Sequence, residues 1–142
     1  MKSITYLYFN GQCEAAFKFY EQCLGGKIVD AITYGDTPTD SPMAAQVSPE
    51  SRHQIMHTHL VVGNVELMGS DASCEYFEKP QGFSVSLQFA FADAAEGERI
   101  FHVLAENGTI RMPLEETFWA SRFGMLVDQF GTPWMINCAP AA

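Results

Sequence analysis

The sequence predicts an α+β protein made of two βαβββ repeats, whose strands form a half-open, curled mixed sheet with the helices outside. Three observations predict it. Short β-rich runs alternate with two helix-like runs, and their order starts again after roughly 80 residues. The third is apolar content: hydrophobic residues make up 47% and aromatics 13% of 142 residues, enough to build a core at this length. We expect a single domain over 1–142, with a first repeat over 1–71 and a second over 83–138.

The elements follow in order. "ITYLYFN" (4–10) is β-rich, with Leu7 and Phe9 alternating onto one face, so that Tyr6 and Tyr8 point away from the first helix. "CEAAFKFYEQCLGG" then places Ala16, Phe19, Tyr20 and Cys23 at helical spacing, and Gly25-Gly26 is a natural stop. "KIVDAITYGD" reads as a second strand. Residues 36–51, rich in Pro, Ser, Thr and Asp, read as a mobile loop. "HQIMHTHLVVG" and "NVELMGSD" form a hairpin turning at Gly63-Asn64.

A linker over 72–82 separates the repeats. "FSVSLQFAF" then places Leu87 and Phe89 as Leu7 and Phe9 were placed. "DAAEGERIFHVLAENG" is a helix with Asp93 at its N-cap, with Ile100-Phe101 in the role of Phe19-Tyr20, and Asn107-Gly108 closes it. "TIRMPLEETFWA", "SRFGMLVDQFG" and "TPWMINC" supply three further strands, the last two joined at Gln129-Phe130-Gly131. Neither βαβββ unit can cover both faces of its own sheet. Side by side, two such units curl into a cup, and cups are where ligands usually sit.

Composition excludes several functions. The net charge of -9 and only eight Lys and Arg residues argue against nucleic acid, which needs clustered cations. No run approaches the roughly 20 apolar residues of a membrane span, and "MKSITYLYFNG" lacks the form of a signal peptide. The cysteines Cys13, Cys23, Cys74 and Cys138 form no C-x-x-C pair. Reduced thiols in a cytoplasmic protein are the simplest account. There is no Ser-His or Cys-His pairing and no glycine-rich nucleotide loop.

The segments "YLYFNGQCEAAFKFYEQCLGGKI", "HLVVGNVELMGSD", "LEETFWASRFG" and "DQFGTPWMINC" span 6 to 138. In them, and in the tandem βαβββ order, the chain resembles the vicinal oxygen chelate superfamily, which includes glyoxalase I, bleomycin-resistance proteins and extradiol dioxygenases. It is most similar to the PhnB-like branch. The resemblance implies a glyoxalase-like fold and a homodimer. In metal-dependent members, it further implies four ligands converging from the first and last strands of each repeat. Those positions fall here on Ile4 or Thr5, on Ser84 or Ser86, on or near Glu66, and on Met135. One carboxylate does not hold a hard divalent cation, so the usual metal and any cofactor are expected to be missing. Relatives sometimes carry a ubiquinone-pathway methyltransferase label, but "NGQCEAAF" does not resemble the glycine-rich loop such a cofactor would need.

Two groups of residues carry the expected site. His57 and His59, two apart on a strand, point to one side, where they form a displaced metal site with Glu66 or Glu116, or else pack and hydrogen-bond locally. His53 and His102 carry no functional signal. In "LEETFWASRFG", strand alternation puts Glu116, Phe118 and Ala120 on one side and Thr117 and Trp119 on the other, with Trp134 nearby in the final strand. The aromatics then form a box over a planar or apolar ligand with Glu116 and Arg122 orienting it, or they fill a seam or dimer contact. Tyr6, His57 and Met68 join Glu116, Phe118, Trp119, Arg122 and Trp134 as the expected ligand surface, although Met56 and Met68 equally suit core filling.

Three functions follow. The first is a small-molecule binder without the superfamily metal, of the bleomycin-resistance type. The second is a lyase, isomerase or oxygenase using a displaced metal at His57, His59 and Glu66 or Glu116. The third is a structural or interaction dimer with no ligand.

Overall fold

The structure is a computed structural model that describes residues 1–38, 40, 47–72 and 77–141. It contains two compact units, Met1–Glu78 and Lys79–Ala142, each a βαβββ arrangement around its own four-stranded mixed sheet.

In the first unit, β1 (Thr5–Phe9) precedes helix α1 (Cys13–Leu24), followed by β2 (Lys27–Thr33), β3 (Ile55–Val62) and β4 (Val65–Asp71). The sheet order is β1-β4-β3-β2. β1 runs parallel to β4, and the β4–β3 and β3–β2 pairs are antiparallel. The expected alternation in β1 holds: Leu7 and Phe9 are buried while Tyr6 and Tyr8 are 41% and 56% exposed. Gly25 ends α1 in the left-handed region, donating its N–H to the Glu21 carbonyl. The β3–β4 hairpin turns at Gly63, also at positive φ.

One residue of the expected helix face is displaced. Phe17, not Phe19, is the aromatic that α1 drives into the core: Phe17 is 1% exposed and Phe19 is half-buried. Its ring meets Phe9 and Tyr20 edge-on at 6.2 and 5.7 Å. It also lies over Gly69 of β4, where an added Cβ would come within 2.5 Å of the ring. Gly69 therefore makes the helix seat, and burying Phe17 there is worth about 1.5–3 kcal/mol.

The second unit repeats the plan with β5 (Val85–Phe89), α2 (Ala94–Leu104), β6 (Thr109–Glu115), β7 (Arg122–Val127) and β8 (Pro133–Cys138), in the order β5-β8-β7-β6. Phe101 takes the part of Phe17, its ring within 2.8 Å of a Cβ placed on Gly124. Asp93 stands at the N-cap of α2 as expected, but its side chain makes no capping hydrogen bond.

The strand expected over 109–120 is shorter than the sequence suggested. β6 ends at Glu115, and its pairing with β7 slips on either side of Met112, beside Pro113, which has no N–H to give a ladder. The Thr117 N–H then donates to the Ala120 carbonyl at 3.0 Å, turning the chain before Arg122. Residues 116–121 are thus a loop, and strand alternation does not order their side chains.

Each unit is pinned by one buried carboxylate. Asp71 accepts from the N–H groups of Gly11 and Cys13 at 2.8 and 3.0 Å and from Ile55 N–H at 2.9 Å. Asp128 accepts from the N–H groups of Phe130 and Thr132 at 2.8 and 3.0 Å and from the Trp134 indole at 2.9 Å.

The loop expected over 36–51 is bounded by 3-10 turns at Tyr34–Asp36 and Pro49–Ser51. Residues 39 and 41–46 lie outside the described residues, as do residues 73–76 of the linker, Cys74 among them. Cys13, Cys23 and Cys138 are buried thiols. Among the described residues, no helix is long and apolar enough to cross a membrane.

Candidate functional site

In each unit, the helix covers one face of the sheet and leaves the other open. On the first sheet, the register sets Tyr6 beside Met68 and Met68 beside His59, with Glu66 beside Val61. Leu7, Leu60 and Leu67 lie buried on the opposite side. The predicted residues Tyr6, His57 and Met68 therefore share the open face, and so do His59 and Glu66.

Their contacts are specific. The Tyr6 hydroxyl and His57 Nδ1 stand 3.2 Å apart; with the hydroxyl donating, the imidazole proton sits on Nε2. The same rings stack at 6.0 Å, and Tyr8 leans on Tyr6 at 5.3 Å. His59 Nε2 lies 2.9 Å from one oxygen of Glu66, and Lys2 Nζ holds the other. The Lys2 ammonium, and secondarily His59, keep the Glu66 carboxyl below the usual glutamate value.

This donor set does not fit the superfamily's metal. Both Glu66 oxygens are engaged, and His57 is turned to a tyrosine. Among the described residues, no three His, Cys, Asp or Glu side chains converge to hold an ion. The register also corrects the family positions. Phe9 pairs with Asp71 as Phe89 pairs with Cys138, so the counterpart of Glu66 is Pro133, and Met135 corresponds to Met68. Proline offers even less to a cation than methionine.

On the second sheet, one row crosses all four strands on the open face: Glu115 opposite Phe123, Phe123 opposite Asn137, and Asn137 opposite Gln88. Met125 and Met135 form the next step. Trp119 packs edge-on against Phe123 at 5.2 Å and against Phe118 at 4.8 Å. Trp119 is 45% exposed and Phe118 96%. The Asn137 amide donates to Gln88 Oε1 at 2.7 Å, and the Gln88 amide donates to Ser86 Oγ at 2.9 Å.

Other expected site residues stand elsewhere. Trp134 is not on this surface: it is fully buried on the helix-facing side, beside Val85 and Leu126, with its indole N–H on Asp128. The final strand's alternation hid this, because tryptophan is as readily core as surface. Arg122 is exposed and gives its guanidinium to the Ser121 carbonyl at 2.7 Å. Glu116 is exposed in the loop after β6 and has no strand side. Phe123, Asn137 and Gln88 escaped notice, although a period-two reading of "SRFGMLV" against "WMINC" puts Phe123 and Asn137 opposite their buried neighbours.

In the turn that leads into α1, the Gly11 and Cys13 N–H groups are directed at Asp71, which ties the start of the helix to the end of β4.

A family profile described as 3-demethylubiquinone-9 3-methyltransferase matches residues 1–137. Protein YjdN of Escherichia coli strain K12 is 35% identical over 136 residues, covering 93% of this chain and 91% of that protein. The crystal structure of protein PA1353 from Pseudomonas aeruginosa is 43% identical, superposes with a TM-score of 0.83 and covers 98% of each chain. A PhnB protein from Bacillus cereus, described as a putative 3-demethylubiquinone-9 3-methyltransferase, is 24% identical with a TM-score of 0.69, over 98% of this chain and all of that one. A glyoxalase/bleomycin resistance/dioxygenase family enzyme from Burkholderia phytofirmans shares the fold at 17% identity and a TM-score of 0.59, over 98% of this chain and 100% of that one.

Proposed function

The chain belongs to the family described as 3-demethylubiquinone-9 3-methyltransferase, a PhnB-like branch of the glyoxalase/bleomycin resistance/dioxygenase superfamily, and from that premise we propose that it binds a small apolar or aromatic molecule without the superfamily's metal. The observation that carries this reading is the aromatic platform of the second sheet. Trp119 and Phe123 pack together on the open face, part-exposed, with the polarizable Met125 and Met135 alongside. Ring surface with adaptable thioethers and few polar groups is the composition of small-molecule sites. The engaged Glu66 and the turned His57 support a metal-free reading.

The proposal does not extend to methyl transfer, because "NGQCEAAF", the turn between β1 and α1, is not a glycine-rich cofactor loop and gives two of its amides to Asp71. A homodimer belongs to the reading, as the superfamily resemblance implies. Sedimentation as a monomer at micromolar concentration would remove it.

Tryptophan fluorescence tests binding directly, since the chain has two tryptophans, Trp119 exposed and Trp134 buried. A ligand on the platform shifts the red, exposed component and leaves the blue one. By calorimetric titration, Trp119→Ala and Phe123→Ala should each weaken binding of planar compounds about tenfold or more, as loss of an aromatic contact of about 1.5 kcal/mol requires. Unchanged affinity in both variants would remove the platform as the site.

A further inference from the structure

The open face of the second sheet carries one polar atom with nothing to bind. Asn137 Oδ1 is buried and lacks a hydrogen-bond partner among the described residues. Its own amide nitrogen is committed to Gln88, and the Gln88 amide nitrogen is committed in turn to Ser86. Donation therefore runs one way, from Asn137 through Gln88 to Ser86, and leaves the acceptor end vacant beside Phe123. Turning the Asn137 amide alone would vacate a nitrogen and set its oxygen against the Gln88 oxygen; reversing the relay takes a concerted turn of both amides, with the Ser86 hydroxyl donating to Gln88.

A buried carbonyl oxygen without a donor is costly, and a ligand that brings a donor recovers that cost. A second vacancy lies in the platform loop: Thr117 Oγ1 is also buried and unpaired, two residues before Trp119. Glu115, exposed at the end of the same row, disfavours an anionic ligand there.

We infer that this face selects neutral or cationic planar ring compounds carrying an N–H or O–H donor, the donor being received by Asn137 Oδ1 while the ring packs against Phe123 and Trp119. The inference rests on the small-molecule reading above and adds the ligand class. It makes Asn137 the residue that sets specificity. A ring of the same shape without a donor fills the apolar surface and leaves the oxygen unpaired, the situation in which polar sites discriminate most strongly.

Indole and 1-methylindole test this, because they share a ring and differ in the N–H. Calorimetric titration of the full chain should show indole binding about tenfold tighter, the worth of one hydrogen bond of about 1.4 kcal/mol. Asn137→Leu should bind both alike, whereas Asn137→Asp, which keeps an acceptor, should retain the preference. If Asn137→Leu fails to fold, Asn137→Ala removes the acceptor and serves the same comparison. Equal binding of the two compounds by the wild type, or an undiminished preference in Asn137→Leu, overturns the donor-selective site and leaves the small-molecule reading standing. Binding of neither compound at millimolar concentration overturns both.

Discussion

Asp128 receives the indole N–H of Trp134 at 2.9 Å in the interior of the second unit, and its other oxygen takes two backbone N–H groups of the β7–β8 turn. One carboxylate thus joins the turn that sets the register of β8 to the largest buried side chain on that strand. Asp128→Ala strands these donors, and we expect a loss of about 3 kcal/mol. Urea unfolding followed by Trp134 emission in a Trp119→Phe background measures it. A loss below about 1 kcal/mol, the worth of an ordinary hydrogen bond, would show that water replaces the carboxylate.

The Cys13 and Cys138 thiols should be silent in the native protein. Burial, reinforced by Asp71, raises the Cys13 thiol well above its ordinary value, and burial raises Cys138 despite the nearby Arg122. Each thiol stays neutral in the folded chain at a pH where it ionises in the unfolded one. Its contribution is therefore complete below the ordinary value of 9.0 and is lost as pH rises beyond it. Thermal stability should fall above that pH, and Cys13→Ala should flatten the fall. Labelling of Cys13 and Cys138 by a disulfide reagent at pH 8 should proceed at the rate of unfolding; instantaneous labelling of Cys13 would contradict its burial.

Much of this fold was legible because two periods dominate it. Leu7 and Phe9 against Leu87 and Phe89, closed by Gly25 and by Asn107-Gly108, mark strand and helix without reference to anything distant. The platform was half legible: "FWASRF" announces aromatic surface, but whether its rings lie on a strand or in a loop depends on β6, its register slipped beside Pro113, ending at Glu115. Trp134 was misplaced because its partner Asp128 lies across the turn, and only the folded turn brings them together. Asn137 was invisible for a related reason. Its vacancy is a property of the Gln88–Ser86 relay, which joins β8 to a strand 49 positions away.

Lys2 should control the ionisation of Glu66. The ammonium is the chief cause of the depressed carboxyl, with His59 second. The folded value lies below the ordinary 4.5, so the contribution of this group is present above that pH and is lost as pH falls through the folded value. Carbon-detected titration of Glu66 should show the depression in the wild type and most of it removed in Lys2→Ala, with a smaller rise in His59→Gln. A Glu66 titration unmoved by loss of Lys2 would mean that the ion pair does not persist in solution, as many exposed pairs do not.

Metal retention follows from the same three residues. For a divalent ion to reach Glu66, it must displace Lys2 from one oxygen and His59 from the other, and His57 must leave Tyr6. Once there, it finds isoleucine or threonine, serine and proline at the remaining family positions, in place of imidazole and carboxylate. Protein dialysed against zinc, nickel, manganese and iron(II), then freed of excess, should retain far less than stoichiometric metal by elemental analysis. Lys2→Ala frees one oxygen without adding a ligand, so it should not change that result. Near-stoichiometric retention of a single metal, abolished by Glu66→Ala and by His57→Ala, would instead establish a displaced centre on the first sheet.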